Sequence, residues 1–211
     1  MLHDFEYVSK SEYGPVLNQL CQIIREVQKY LKKDYFTFQP DVIGSASLNM
    51  VTRDKKGNKG YDFDVNLRLN ISLDDYTPSK LRSIFKNALD KISPRLGYDY
   101  CEDSTRVLTM KFKDCDNSKI HHSCDIGLII EDDEGQEWCV YCNKHNGKQT
   151  YEFKQIPDPY ELEEKIEWIK EEGLWSEVRD MYIQLKNNNT IKDKKSCSLR
   201  AEAINNIYNQ Y

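Results

Sequence analysis

The chain has 211 residues, of which 39% are hydrophobic and 31% charged, with a formal net charge of −5. That is apolar material for one globular unit or two small lobes. The acidic balance excludes a molecule that coats nucleic acid by overall charge, although a local basic groove stays open.

No apolar run reaches the roughly 18 residues of a membrane span. The start MLHDFEYVSKSEYG lacks the basic opening and apolar stretch of a signal peptide. The chain is therefore expected to be non-membrane and cytoplasmic, with its cysteines as reduced thiols.

In chain order, residues 11–33 carry apolar side chains at Val16, Leu17, Leu20, Ile23, Ile24, Val27 and Leu31, a helical spacing that Ser11 or a near neighbour could cap. FTFQPDVIG looks extended and ends in the turn GSAS. Residues 61–71 alternate strictly: Tyr61, Phe63, Val65, Leu67, Leu69 and Ile71 on one face, Asp62, Asp64, Asn66, Arg68 and Asn70 on the other. Period-two alternation predicts a strand. Thr77 and Pro78 open a predicted helix with an apolar stripe of Leu81, Ile84, Phe85, Leu89 and Ile92. Residues 104–113 and 120–131 alternate again, and DDEGQ leads into EWCVYC as the second arm of a hairpin. Beyond QIPDPYE, two amphipathic helical segments follow, joined by NNNTIKDKKS, which reads as a mobile linker. The expected fold is α+β: a mixed β-sheet flanked by helices over residues 1–150, followed by a small helical lobe over 151–211.

The carboxylates Asp62 and Asp64 stand out. Residues i and i+2 of a strand point the same way, with Cα atoms roughly 6–7 Å apart. Two ionised groups side by side repel and are costly to desolvate. A hard, oxygen-seeking divalent cation such as Mg2+ would relieve both problems. A two-metal site usually needs a third carboxylate, and Asp125 is the candidate, because it interrupts the apolar run CDIGLII. Gly44 allows close backbone approach, and Ser45 offers a hydroxyl and an amide to a phosphate. Other readings stay open. Asp62 and Asp64 could face solvent on an edge strand, Asp125 could sit at a bulge paired with Arg106 or a lysine, and Ser45 could be a turn residue only.

The order GSAS, YDFDV, CDIGLI resembles the polymerase-beta-like nucleotidyltransferase superfamily over about residues 15–130. Among its branches, the TRVLTMKFK segment looks closest to the oligoadenylate synthetase and bacterial cyclic-dinucleotide synthase branch. The resemblance implies that Asp62, Asp64 and Asp125 are the catalytic and metal-binding residues, with Mg2+ or Mn2+ as cofactor. It implies that Gly44 and Ser45 hold the phosphates of a nucleoside triphosphate such as ATP, with Arg106 as a further nucleotide-binding residue. The implied reaction transfers a nucleoside monophosphate to an acceptor hydroxyl on a nucleotide, RNA, protein or small molecule, releasing pyrophosphate; no DNA duplex is expected as a partner. The alternative is a catalytically inactive nucleotidyltransferase-fold module that binds RNA or a protein partner. Two departures from the family pattern are expected to matter: TRDKKGNKG lengthens the gap between GS and the Asp-x-Asp strand, as an inserted hairpin turning at Gly57 and Gly60, and the helical lobe is reduced.

A second cluster, Cys139, Cys142 and His145, with Cys115, His121, His122 and Cys124 upstream, has the residue types of a zinc site. Alternation, however, would send Cys139 and Cys142 to opposite faces of one strand. Trp168, Trp175 and Tyr182 fit helical core positions, or a base-stacking role for one of them. Lys55, Lys56 and Lys59, and the later group Lys186, Lys192, Lys194, Lys195 and Arg200, read as solvated faces or as contacts to triphosphate or RNA.

Overall fold

A computed structural model describes residues 3–33, 36–114, 116, 119–157, 160–191 and 194–211. In chain order the elements are β1 (Phe5–Tyr7), α1 (Lys10–Lys32), β2 (Phe38–Ile43), the single helical turn α2 (Gly44–Ser47), β3 (Thr52–Asp54) and β4 (Lys59–Leu69). Next come α3 (Pro78–Ile92), a 3₁₀ turn (Ser93–Leu96), β5 (Glu102–Asp103), β6 (Val107–Asp114), β7 (Lys119–Glu131), β8 (Glu137–His145) and β9 (Lys148–Gln155). The chain closes with α4 (Tyr160–Glu171), α5 (Trp175–Asn188) and α6 (Ser196–Tyr208). These fall into two compact units: Ser9–Val51 with Lys59–Pro157, and Met1–Val8 with Thr52–Asn58 and Asp158–Tyr211.

The larger unit is built on a mixed sheet of order β2-β4-β7-β6-β5, with β8 paired to β7 and β9 to β8. β4 and β7 run parallel; the other pairs in this sheet are antiparallel. The helices form as their sequence signals direct. The Ser9 hydroxyl accepts from the Glu12 amide at the start of α1, and the Thr77 hydroxyl accepts from the Lys80 amide at the start of α3, with Pro78 in the first position. Leu20, Ile23, Ile24, Val27 and Leu31 of α1 and Leu81, Phe85, Ala88 and Leu89 of α3 are buried, as are Phe63, Val65, Leu67, Cys124, Ile126 and Leu128 of the two central strands. Burial of this stripe against the apolar side of the sheet is the main source of the unit's stability.

In the smaller unit, β1 and β3 form a two-stranded antiparallel ribbon. α5 grips β1: the Phe5 amide donates to Asn187 Oδ1 at 2.6 Å, and Tyr7 Oη donates to the Arg179 carbonyl at 2.7 Å. Val178, Tyr182, Leu199, Ala203, Ile204 and Ile207 supply its buried apolar residues.

The charged stretch 52–60 differs from its expected hairpin. β3 pairs with β1, whereas β4 pairs with β2 and β7. Gly57 does lie in the turn, its amide donating to the Asp54 carbonyl at 3.1 Å. Gly60 is a strand residue instead: a Cβ there would come 1.7 Å from the His121 carbonyl oxygen, so β4 approaches β7 too closely for any side chain. The strands β1, β3 and β9 are additions to the sequence expectation. They are short or carry little alternation, so their partners decide them.

Candidate active site

Residues directly opposite on paired strands share a face of the sheet. Asp64 of β4 lies opposite Asp125 of β7, which lies opposite Thr109 of β6. One row away, Asp62 lies opposite Ser123, which lies opposite Lys111. The three aspartates therefore occupy adjacent rows on the side of the sheet away from Phe63 and Cys124. β2 pairs with β4 from Asp64 to Leu69, so Asp64 lies between two strands; Asp62 lies beyond the end of that pairing, bonded to β7 alone, and is exposed.

Each carboxylate is oriented by a neighbour. The Ser123 hydroxyl donates to Asp62 Oδ1, and the Thr109 hydroxyl donates to Asp125 Oδ1 at 2.6 Å. Gly44 has φ +71°, and a Cβ there would stand 2.2 Å from Asp64 Oδ2. Only glycine both adopts that backbone and leaves room for the carboxylate. The start of α2 is thus pressed against Asp64. Within that turn Ser47 Oγ donates to the Gly44 carbonyl at 3.0 Å, and the Ser45 carbonyl accepts from the Met50 amide at 2.8 Å.

Burial is the leading influence on Asp125 and raises its pKa above the ordinary carboxylate value; the charge of Asp62 adds to the rise, while the Thr109 hydrogen bond opposes it. Lys111 pulls the other way but is itself committed to an ion pair with Glu102. Among the described residues, no three or more His, Cys, Asp or Glu side chains are gathered closely enough to hold a metal ion. Asp62 and Asp125 each turn one oxygen to a hydroxyl rather than to a common point.

The sequence matches no protein-family model and no curated protein. Solved structures do match. The Bradyrhizobium diazoefficiens CD-NTase CdnG in complex with GTP superposes with a TM-score of 0.61 at 12% identity, over 94% of this chain and 66% of that one. The Vibrio cholerae DncV cyclic AMP-GMP synthase in complex with its linear intermediate gives 0.64 at 14% identity, over 97% and 68%. Escherichia coli DncV in its 3′-deoxy GTP bound form gives 0.58 at 16% identity, over 97% and 54%. The fold is the nucleotidyltransferase fold of the bacterial CD-NTases. The chain spans about half to two thirds of the length of these CD-NTase chains.

Within this CD-NTase fold, Asp62, Asp64, Asp125 and Gly44 come together on adjoining elements. Arg106 does not join them. It is exposed, one residue before β6, with its guanidinium 5.8 Å from the centre of the Tyr141 ring. Its carbonyl is one of several acceptors for Arg82, a side chain 1% exposed that also pairs with Asp103 Oδ1 at 2.8 Å and donates to the carbonyls of Ser104 and Val107. This buried guanidinium pins the bend that feeds β6 and therefore Thr109. Thr109, Ser123 and Lys111 join the site without having been singled out by alternation; naming them requires the register between strands.

The zinc cluster is not assembled. Cys139 and Cys142 are buried at alternate-face positions of β8, His145 is exposed at its far end, and Cys115 lies outside the described residues. Tyr182 is buried, and Trp168 packs edge-on to Tyr208 with ring centres 5.0 Å apart. The basic group beyond residue 185 is dispersed: Lys186 is buried and donates to Thr52 Oγ1 at 2.7 Å, and Lys194 pairs with Glu202. Lys192, and with it part of the linker, lies outside the described residues. Lys55 is engaged with Glu6 at 2.7 Å.

Proposed function

We propose that the chain is a Mg2+-dependent nucleotidyltransferase that moves a nucleoside monophosphate from a nucleoside triphosphate to an acceptor hydroxyl, releasing pyrophosphate. The observation that carries this reading is the register that sets Asp64 opposite Asp125, with Asp62 one row away and Gly44 against Asp64. The donor chemistry suits the cation, three carboxylates with oxygen donors only on adjacent rows of one face, but the side chains are not gathered at one point in this structure, so holding it would require Asp62 and Asp125 to turn from Ser123 and Thr109. Asp62, Asp64 and Asp125 would hold it. When bound, Mg2+ or Mn2+ supplies charge neutralisation to the phosphates and the reacting oxygens.

The chain's own residues supply position and proton transfer. Gly44 and Ser45 would cradle the outgoing phosphates. Asp125 would orient the acceptor hydroxyl and take its proton as the new oxygen–phosphorus bond forms and the bond to the β-phosphate oxygen breaks. The larger unit, Ser9–Val51 with Lys59–Pro157, would be the catalytic lobe, so the division expected at residue 150 moves beyond β9 and leaves residues 1–8 and 52–58 with the C-terminal helices. The likeness to the Vibrio DncV synthase with its linear intermediate favours a second nucleotide as acceptor.

The test is incubation with each α-labelled nucleoside triphosphate and Mg2+ or Mn2+, alone and with total RNA. A product from nucleotides alone is expected, and Asp62→Ala or Asp64→Ala should reduce it by at least about a thousandfold, roughly 4 kcal/mol of barrier. Nucleotide binding without turnover in the unsubstituted chain would instead assign it to the inactive module.

A further inference from the structure

The far ends of α1 and α3 enclose an open groove of about 730 Å³, lined by Glu26, Lys29, Tyr30, Lys32, Lys33, Lys91, Ile92 and Arg95. Five of these side chains are cations and one is a carboxylate, in a chain where acidic residues outnumber basic ones by 35 to 30. Helix C-termini attract lysines for a plain reason, the half negative charge of the macrodipole. Two helices end here, so that effect accounts for about one unit of positive charge, and Glu26 accounts for another through its 2.7 Å pair with Lys29. About three positive charges remain. Lys32, Lys33 and Arg95 meet no carboxylate among the described residues.

The groove also offers a ring. Tyr30 is 42% exposed, with Lys91 Nζ 4.4 Å from its centre and 3.4 Å from its hydroxyl. Lysine-rich surfaces are depleted from the cores of protein–protein interfaces, whereas cations tracking a backbone beside an exposed aromatic ring are the means by which single strands are held. We infer that this groove binds a single-stranded nucleic acid, with Lys32, Lys33 and Arg95 on successive phosphates and Tyr30 under a base. The site is separate from the three aspartates and stands whether or not the chain catalyses transfer.

The test is fluorescence anisotropy with labelled oligouridylate and oligothymidylate of about 20 nucleotides, titrated over a range of salt. Binding is expected, with log K falling against log salt at a slope of about −2 to −3.5, that is, about 0.7 for each of three to five phosphates. The pair Lys32→Glu, Arg95→Glu should weaken binding at least about tenfold and flatten the slope by about 1.4. Reversed charge could unsettle two helix ends, so the neutral pair Lys32→Gln, Arg95→Gln is measured beside it, with circular dichroism on each; it should give a smaller loss in the same direction. Tyr30→Ala should weaken binding without changing the slope, and Asp62→Ala should leave binding intact. Preference between the two strands identifies RNA or DNA as the ligand. No binding at low salt, binding indifferent to both charge pairs, or a self-association that the charge pairs abolish would each overturn the assignment, the last by giving the groove to a second copy.

Discussion

The strands β4 and β7 carry opposite chemistries on their two sides. On one side Tyr61, Phe63 and Val65 meet His122, Cys124 and Ile126, all buried. On the other, Asp62 and Asp64 meet Ser123 and Asp125. Both sides contain a titratable group that burial drives toward its neutral form: His122 is pushed down to about 4, and Asp125 is pushed up. The difference lies in what surrounds them. His122 stacks on Phe112 with ring centres 5.0 Å apart, lies 5.9 Å from the Tyr61 ring and shares a 2.9 Å hydrogen bond with Tyr98 Oη. Asp125 has a single hydroxyl donor and a like-charged neighbour. One side is enclosed and satisfied; on the other, Asp125 carries its charge against burial and a like-charged neighbour, a combination that often accompanies functional sites.

If that contrast is right, the two sides should separate stability from function. The largest effect on stability is expected at Phe63, 0% exposed and edge-on to Tyr13 and Tyr61. Phe63→Ala should cost about 3–5 kcal/mol by cavity formation, read as a shifted midpoint in urea. A shift as small as that of a surface substitution would mean the apolar side is not the core of this unit.

His122 provides a pH test of the same side. Its folded pKa of about 4 lies below its ordinary 6.5, so the unfolded chain binds the proton first as pH falls. The stabilising contribution of neutral His122 is therefore full above pH 6.5 and is lost between 6.5 and 4. The loss is on the order of 3 kcal/mol at most. Melting temperature followed through that window should fall more steeply for the natural chain than for His122→Phe. Parallel slopes would show that His122 is not held neutral by the fold.

How much of this was legible in the sequence follows from which interactions are local. The alternation of residues 61–71 and the Thr77–Pro78 start were enough to place β4 and α3, because strand period and helix caps act within a few residues. The motif drew attention to Gly44, but its closeness to Asp64, where a Cβ would strike the carboxylate, needed the β2–β4 register. Thr109 and Ser123 were invisible because hydroxyl residues in an alternating strand have no marker of their own until a neighbouring strand is placed beside them. β1 and β3 are three residues each and carry no pattern of their own; each depends on a partner more than forty positions away. Arg106 shows the opposite limit: a motif position named it, and its guanidinium lies beside the Tyr141 ring while its carbonyl accepts from Arg82.

The smallest expected change in stability belongs to the group with a large proposed role, and it sharpens the contrast most. A carboxylate whose folded pKa is raised binds its proton more tightly in the folded chain, so its ionisation works against folding as pH rises from the ordinary value through the raised one. At neutral pH, Asp125 is therefore a charge the fold carries at a cost. Asp125→Asn removes that charge and keeps an oxygen for the Thr109 hydroxyl. Thermal melting at neutral pH should show the variant no less stable than the natural chain, while labelling from α-labelled nucleotide should fall at least about a hundredfold, as expected when a proton acceptor is lost. A variant clearly less stable than the parent would place Asp125 with His122, as a group the fold needs rather than one that it tolerates for chemistry.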